Sequence, residues 1–220
     1  MTRVPNKTEH ITSLSLSQAF RQISSLTAVS RIIGFVRDIV FASFLGAGPA
    51  ADAFLVALKL PNMFRRLTAE GALTNAFLPS FVKLRTAEGR VAAIKLAAEA
   101  QIMLIIVLFG IVILAEIYMP QVLLLLAPGF SATPDRLAAA VDLGRVTMPY
   151  LPMISVVALW VAIANAHEQF MAGAAAPILA NLCFIAGAIS IPFFASDLGV
   201  FRALPIAIGL LVAGMLQLVF

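Results

Sequence analysis

Charged residues are scarce in this sequence. Asp, Glu, Lys and Arg together fill 12% of its 220 positions, about half the share that soluble domains carry. Hydrophobic residues fill 61%, and the mean hydropathy is +1.01. This composition excludes a soluble domain, because too few polar side chains remain to face water. A helix that crosses a membrane needs roughly 20 mostly apolar residues, so the chain is long enough for several spans.

Several kinds of site are excluded by what is missing. The single cysteine, Cys183, rules out an intramolecular disulfide and a metal cluster built on cysteine. No clustered carboxylates of the kind that hold Mg²⁺ in membrane-embedded polyprenyl-phosphate enzymes occur, so we expect no metal, no cofactor and no enzyme. The net charge of +4 comes without a basic tail, a zinc pattern or an aromatic RNA-binding motif, so no nucleic-acid partner is expected.

Apolar runs predict an all-α fold, a polytopic transmembrane bundle of about six helices. The N-terminus lacks the apolar core of roughly 7 to 15 residues that marks a signal peptide. Residues 1–22 are therefore interpreted as a cytoplasmic lead-in and residues 23–220 as a six-helix lobe. The last run reaches the end of the sequence with no cap or flanking charge, which indicates truncation. The predicted spans are residues 23–45, 50–64, 97–119, 146–166, 171–194 and 204–220.

The distribution of Lys and Arg predicts the orientation, because cytoplasmic loops carry an excess of these residues. The N-terminus and the connection between the second and third spans carry nine of them, and the opposite side carries only Arg136, Arg145 and Arg202. We therefore expect the N-terminus to face the cytoplasm. The connections at residues 46–51, 120–145 and 196–202 are expected outside.

Three local features refine this topology. Residues 71–82 continue the short second span with apolar residues, which suggests one long helix that protrudes on one side. Residues 120–134 contain LLLLAPGFSATP, an apolar stub that is too short to span and is typical of a half-helix or an interfacial segment on the outer face. Two amides within the spans, Asn165 and Asn181, are predicted to be buried and to join helices.

The first two spans hold charges that the membrane disfavours. An ionisable group at membrane depth costs roughly 2.5 to 3.5 kcal/mol on insertion scales and survives mainly where it faces a polar cavity. The later spans hold almost none. The charges of the first span are Arg31, Arg37 and Asp38, and those of the second are Asp52, Lys59, Arg65, Arg66 and Glu70.

Spacing arranges these charges on helix faces, because two turns of an α-helix take about 7.2 residues. Arg31 aligns with Asp38. Asp52, Lys59 and Arg66 form one stripe, and Glu70 continues it. If the two helices are neighbours that face one cavity, the result is a polar shaft with an excess of cations, because this region holds five cations and three acids. The excess of cations predicts an anionic ligand, and planar guanidinium groups suit phosphate oxygens.

A structural alternative stays open at this point. The acids could pair with the cations and lock the helices together, Asp38 with Arg37 or Arg31 and Glu70 with Arg66. Arg37 and Arg65 point away from the stripes, by roughly a third and a quarter of a turn. Of the arginines, Arg31, Arg37 and Arg65 fit simple pairing least, because the cations outnumber the acids.

Residues 30–81, SRIIGFVRDIVFASFLGAGPAADAFLVALKLPNMFRRLTAEGALTNAFLPSF, resemble the N-terminal signature of the MurJ (MviN) family of lipid II flippases. The Ser-Arg, Gly-Phe, Arg-Asp, Asp-Ala-Phe, Lys-Leu-Pro-Asn, Arg-Arg and Ala-Glu-Gly pieces stand in order. Later pieces that fit are LLAPGF at residues 125–130, MPYLP at residues 148–152 and AAAPILAN at residues 174–181. The resemblance covers nearly the whole chain after residue 22.

The resemblance implies the N-terminal lobe of a two-lobe exporter of the multidrug/oligosaccharidyl-lipid/polysaccharide superfamily. Such a protein moves lipid II, an undecaprenyl-diphosphate-linked precursor of peptidoglycan, from the inner to the outer leaflet of the bacterial cytoplasmic membrane. By motif, the substrate-binding residues are Arg31, Arg37 and Arg65, with Asp38 beside them. The implied partners are lipid II, membrane lipids and the cell-wall synthesis machinery.

Three other functions are weighed against this one. A related exporter of another polyprenyl-linked oligosaccharide or of a drug fits a cationic cavity but not the motif run. A polyprenyl-phosphate enzyme lacks its carboxylate cluster. A membrane scaffold has no need of arginines within its spans. Further spans downstream would favour the flippase, and a soluble catalytic domain would not.

Overall fold

The computed structural model describes residues 7–167, 169–194 and 199–219. All regular structure in these ranges is helical, which confirms the predicted fold class. The elements are α1 (Lys7–Leu45), α2 (Pro49–Arg65), a π-helix (Arg66–Phe77), α3 (Leu78–Glu88), α4 (Arg90–Ile117), α5 (Met119–Leu126), a 3-10 helix (Pro128–Ala132), α6 (Pro134–Thr147), α7 (Tyr150–Ala166), α8 (Met171–Phe194), a 3-10 helix (Gly199–Ala203) and α9 (Leu204–Val219).

The turn between the two charged helices is set by a glycine and a proline. α1 ends at Gly46, whose φ of 71° is left-handed and favours a residue without a side chain. α2 begins with Pro49 in its first turn, where a missing N–H breaks no helical hydrogen bond. The predicted lead-in, residues 1–22, becomes helical by Lys7 and runs into the first span without a break.

The second span continues as one long helix, as predicted. α2, the π-helix and α3 follow one another without a break from Pro49 to Glu88. In the π-helix each N–H bonds the carbonyl five residues back, so the turn is wider than an α-turn. Gly89 ends the long helix with a φ of 89°.

Helix α1 packs along α8, α8 packs along α9, and α2 packs against α6. Direct packing between α1 and α2 is slight. The two meet in an aromatic cluster formed by Phe41 of α1, Phe54 of α2 and Phe184 of α8, with ring centroids 5.7 to 5.9 Å apart. The charged helices are therefore held together partly through a third helix.

Helices α8 and α9 approach until their backbones touch. A Cβ atom added to Gly187 would lie 2.7 Å from the carbonyl oxygen of Pro205, and one added to Gly209 would lie 2.7 Å from that of Cys183. Such contacts are typical of membrane helices, where small residues allow close van der Waals packing without a hydrophobic driving force.

A helix that the sequence did not predict precedes the fourth span. That span was predicted at residues 146–166 and is occupied by α7, but α6 already begins at Pro134 and meets α7 at a bend of 40°. Ala139, Ala140 and Leu143 of α6 are fully buried. The apolar pattern missed this helix because charged residues interrupt it on the other face. The predicted half-helix is α5, eight residues long and too short to cross.

In the part of the chain that the structure describes, three segments are long and apolar enough to cross a membrane by length and composition: Arg90–Ile117, Gly173–Phe194 and Gly199–Val219. The bent pair α6–α7 makes a fourth if it is counted as one span. The remaining two of the six predicted spans belong to α1 and α2, the helices that carry the charges. The helices least suited to lipid are thus the two on which the sequence places its site.

Candidate functional site

Arg37 is the most elaborately bound of the predicted site residues. Its Nε and Nη2 both donate to Oδ1 of Asp38, at 3.0 and 2.7 Å. Its Nη1 donates to Oδ1 of Asn181 on α8, at 2.9 Å. The centre of the guanidinium also lies 5.5 Å from the ring centroid of Phe184, a cation–π contact. One edge and one face of the cation are therefore occupied.

The partners of Arg37 follow from helix periodicity. Asn181 and Phe184 are three residues apart and so lie on one face of α8. Gly34 lies one turn before Arg37 on α1, and a Cβ atom there would be 3.5 Å from Nδ2 of Asn181. The glycine thus leaves ordinary contact space for the amide. The prediction that Asn181 is buried and joins helices is confirmed, whereas Asn165 is exposed, so its predicted burial is wrong.

Lys59 and Arg66 line one groove, as their spacing on α2 predicts. The groove has a volume of about 760 Å³, and Leu126 of α5 forms part of its wall. Its other residues are mostly apolar: Leu55, Leu58, Asn62, Met63 and Leu67. The combination of two cations with an apolar wall suits an amphipathic anion. No described side chain of α1 lines this groove, so the structure does not bring Arg31 or Arg37 into it.

Asp52, the third member of the predicted stripe, is bound elsewhere. Its carboxylate pairs with Arg136 of α6 at 3.3 Å, and both side chains are substantially exposed. Because α2 packs against α6, the pair lies across a helix contact. Asp52 therefore neutralises a cation that the sequence placed outside the site.

Arg65 faces α7 and is half-buried. It lies close enough to Tyr150 for its charge to act on the phenol. One turn further along, Oγ1 of Thr68 lies 3.2 Å from Oγ of the buried Ser155, also on α7. Neither Arg65 nor a described residue of α7 lines the groove of Lys59 and Arg66.

Arg31 is exposed and makes no ion pair with any side chain that the structure describes. The predicted alignment of Arg31 with Asp38 does not become a contact, because Asp38 turns to its neighbour Arg37. The predicted role of Glu70 lies outside the described side chains. Among the described residues, no group of three or more His, Cys, Asp or Glu side chains that could hold a metal ion occurs.

Three arginines beyond the site helices, Arg136, Arg145 and Arg202, have partners within the lobe. Arg136 pairs with Asp52, and Arg145 lies 3.9 Å from Glu116 and 4.0 Å from Asp142. Arg202 donates to the carbonyl of Phe44 at 3.4 Å. Lys59 and Arg66, in contrast, form no ion pair with a side chain in the described part of the chain. Together with Arg31, they are the cations of the predicted site that stand without an ion pair to a described side chain and that line the groove or lie exposed on α1.

Sequence reasoning missed most partners of the site residues. Phe184, Arg136 and Tyr150 carry no local signal, since each meets its partner only through the packing of distant helices. Asn181 did carry one, because an amide is rare in so apolar a helix. That signal indicated that Asn181 contacts another helix, but it did not indicate that its partner is Arg37.

Comparison with known proteins gives a consistent result. The family model of lipid II flippase MurJ matches residues 41–220. The probable lipid II flippase MurJ of Rhizobium tropici is 38% identical over 93% of this chain and 38% of its own length. That of Rickettsia prowazekii is 35% identical over 90% of this chain and 38% of its own. This chain thus spans about two fifths of the length of these relatives.

A solved structure shares the fold. The lipid II flippase MurJ in its inward closed conformation matches with a TM-score of 0.70 and 23% identity, over 89% of this chain and 40% of that one. The match extends through helices whose order and packing are described above. Together with the family match, this shows that the chain belongs to the lipid II flippase MurJ family.

Proposed function

We propose that this chain forms the N-terminal lobe, residues 23–220, of a transporter that moves lipid II from the inner to the outer leaflet of the bacterial cytoplasmic membrane. Residues 1–22 lead in from the cytoplasm. The observation that carries the proposal is that Arg31 of α1, Lys59 of α2 and Arg66 at the start of the π-helix form no ion pair with a described side chain, in helices that lie among apolar spans. Uncompensated cations at membrane depth are costly, so an anionic ligand is the natural counterion.

The ligand class follows from the chemistry of the two helices. Guanidinium groups bind phosphate oxygens through pairs of parallel hydrogen bonds and stay charged at physiological pH. The groove beside Lys59 and Arg66 adds an apolar wall to the cations. A lipid-linked diphosphate offers both features, and the names of the relatives, lipid II flippases, specify its headgroup.

The mechanism we propose is alternating access. The headgroup enters a cationic cavity between two lobes from the cytoplasmic side, the prenyl tail stays in lipid, and the lobes rock to open the cavity outward. Arg31, Arg37 and Arg65 bind the diphosphate, and Asp38, Asp52, Lys59, Arg66 and Glu70 shape the surrounding charge. No covalent bond changes, so the protein acts as a carrier and not as an enzyme. Membrane lipids and the cell-wall synthesis machinery are its further partners.

The test is made in the full-length protein, in cells depleted of their own flippase. Alanine at Arg31, Arg37 or Arg65 is expected to abolish support of growth while the amount of protein in the membrane stays normal. Arg90→Ala is the matched control, because Arg90 is an exposed arginine at the start of α4, away from both charged helices. A growth loss that follows loss of protein would instead favour structural ion pairing. Growth support that persists in all three variants would contradict the proposal.

A further inference from the structure

Two side chains of α8 hold Arg37 from the side opposite Asp38. Asn181 accepts a hydrogen bond from Nη1, and the ring of Phe184 lies against the guanidinium. Asn181 is only 9% exposed, so its amide is fixed by packing. Phe184 is fixed by its contacts with Phe41 and Phe54. Both contacts leave the positive charge of Arg37 unneutralised, because an amide and an aromatic ring carry no net charge.

Asp38 holds the remaining edge of the cation in a different way. It accepts from Nε and Nη2 together, and these two donors form an edge that binds a carboxylate or phosphate bidentately. The side chain of Asp38 is 66% exposed, so it is free to turn away into a polar surrounding. The edge is thus occupied by an exchangeable anion, while the other side is held by a buried and neutral anchor.

We propose that Asn181 and Phe184 are positioning residues, which fix Arg37 so that its Nε–Nη2 edge takes phosphate oxygens of the lipid-linked diphosphate in exchange for Asp38. This inference rests on the proposed function and concerns the orientation of Arg37, one of the three arginines proposed to bind the diphosphate. The amide and the ring act through Arg37 and need not touch the ligand. Their contribution is preorganisation, because a guanidinium that is already fixed loses less freedom when it binds.

The identity of residue 181 matters under this proposal. An aspartate there would offer Nη1 a charged acceptor, and two carboxylates would then compete with the ligand for one cation. Asn181→Asp is therefore expected to weaken binding more than Asn181→Leu, which keeps a similar volume and removes the acceptor. If residue 181 only packed helices, Asn181→Leu would destabilise the apolar bundle less than Asn181→Asp. In both variants, Arg37→Lys would then cost as much lipid II affinity as it does in the parent.

The decisive measurement is a double-mutant cycle on lipid II affinity, made with the purified full-length protein. In the parent, Arg37→Lys keeps the charge but loses the planar fork, and we expect affinity to fall about tenfold or more. In the Asn181→Leu background the guanidinium of Arg37 is no longer held in one orientation. We therefore expect Arg37→Lys to lower lipid II affinity by less than about threefold in that background. Asp38→Asn, which weakens the internal competitor, is expected to tighten binding.

The outcomes separate the inference from the proposed function. An Arg37→Lys penalty that is equal in the parent and in Asn181→Leu would overturn the positioning role, even though lipid II still binds. Failure of the parent to bind lipid II would overturn the proposed function instead. Asn165→Leu is the control, because it removes an exposed amide of α7 and should leave the penalty at its parental size. Should Asn181→Leu not accumulate in a folded form, Phe184→Leu removes the ring, keeps the amide and completes the same cycle.

Discussion

Helices α8 and α9 differ from α1 and α2 in what holds them together. The first pair packs backbone against backbone at Gly187 and Gly209, within segments that are almost free of charge. The second pair is in slight direct contact and meets mainly through a cluster of phenylalanine rings. One half of this lobe is therefore a support in which two helices touch through their backbones, and the other is a charged surface whose two helices are joined mainly through a third. Substitutions in α8 and α9 are therefore expected to lower the amount of folded protein, whereas substitutions in α1 and α2 are expected to lower ligand affinity.

The largest expected effect lies in the support. Gly209→Val would place its Cβ atom at about the 2.7 Å measured for an added Cβ, against the carbonyl oxygen of Cys183, and backbone on both sides leaves nothing to move. Overpacking costs typically about 1 to 3 kcal/mol, and a clash with backbone lies at the upper end. We expect little folded protein in the membrane, measured by its abundance and by detergent-solubilised monodispersity. Gly110→Val is the control, because a Cβ atom at Gly110 meets nothing within 4 Å. Normal abundance of Gly209→Val would remove the contrast between the pairs.

The next effect lies in the charged surface and should spare abundance. Neutralising both cations of the groove, by Lys59→Gln together with Arg66→Gln, is expected to reduce lipid II affinity by more than about tenfold, since each charge-assisted hydrogen bond contributes roughly 1.5 to 3 kcal/mol. The thermal unfolding midpoint should change little, because neither cation forms an ion pair with a described side chain. An affinity that is unchanged at both low and high salt would show that the groove does not contribute to binding.

The sequence predicted the helices of this lobe better than it predicted the contacts between them. The apolar runs predicted the helical class, the long second helix and the half-helix α5, because burial in lipid leaves a direct trace in composition. The close contact at Gly187 and Gly209 was not predicted, since many small residues occur in these helices and only the crossing of α8 with α9 selects two of them. The start of α6 was missed because charges on one face hid a buried face of alanine and leucine.

The candidate site was predicted in part for a similar reason. Spacing placed Lys59 and Arg66 on one face and turned Arg65 away, because both follow from helix geometry alone. Whether a cation meets an acid or a neutral partner depends on which helices are neighbours. The polar shaft was predicted for the case in which α1 and α2 pack side by side. In the structure α8 packs along α1 instead, and its Asn181 accepts a hydrogen bond from Arg37.

A smaller effect on stability is expected for a cation that already forms an ion pair. Arg136→Ala removes the ion pair with Asp52, and both side chains are largely exposed. Exposed pairs contribute at most about 1 kcal/mol. We expect a slightly lower unfolding midpoint and unchanged lipid II affinity, the reverse of the result for Lys59 and Arg66. A large loss of affinity in Arg136→Ala would mean that Asp52 and its partner belong to the binding surface after all.

The smallest perturbation tests orientation without altering either pair. Cysteines introduced at Ser13 and Thr86, in a background without Cys183, are expected to resist an impermeant thiol reagent in intact cells and to react after the cells are opened. The expectation rests on the asymmetry of nine Lys and Arg residues against three. Labelling of either cysteine from outside would reverse the proposed topology and place the charged ends of α2 and α3 outside.

Under the proposed function, the contact between Arg37 and Asp38 has a consequence for the return half of the transport cycle. A carrier that has released its cargo must change conformation again while empty, and a bare guanidinium in a poorly solvated cavity would raise the barrier to that step. Asp38 supplies a counterion whenever the ligand is gone, at 2.7 Å from Nη2. In the proposed cycle, the carboxylate that competes with the ligand would therefore also help the empty protein to change conformation, and the rate of turnover would depend on the balance between these two effects.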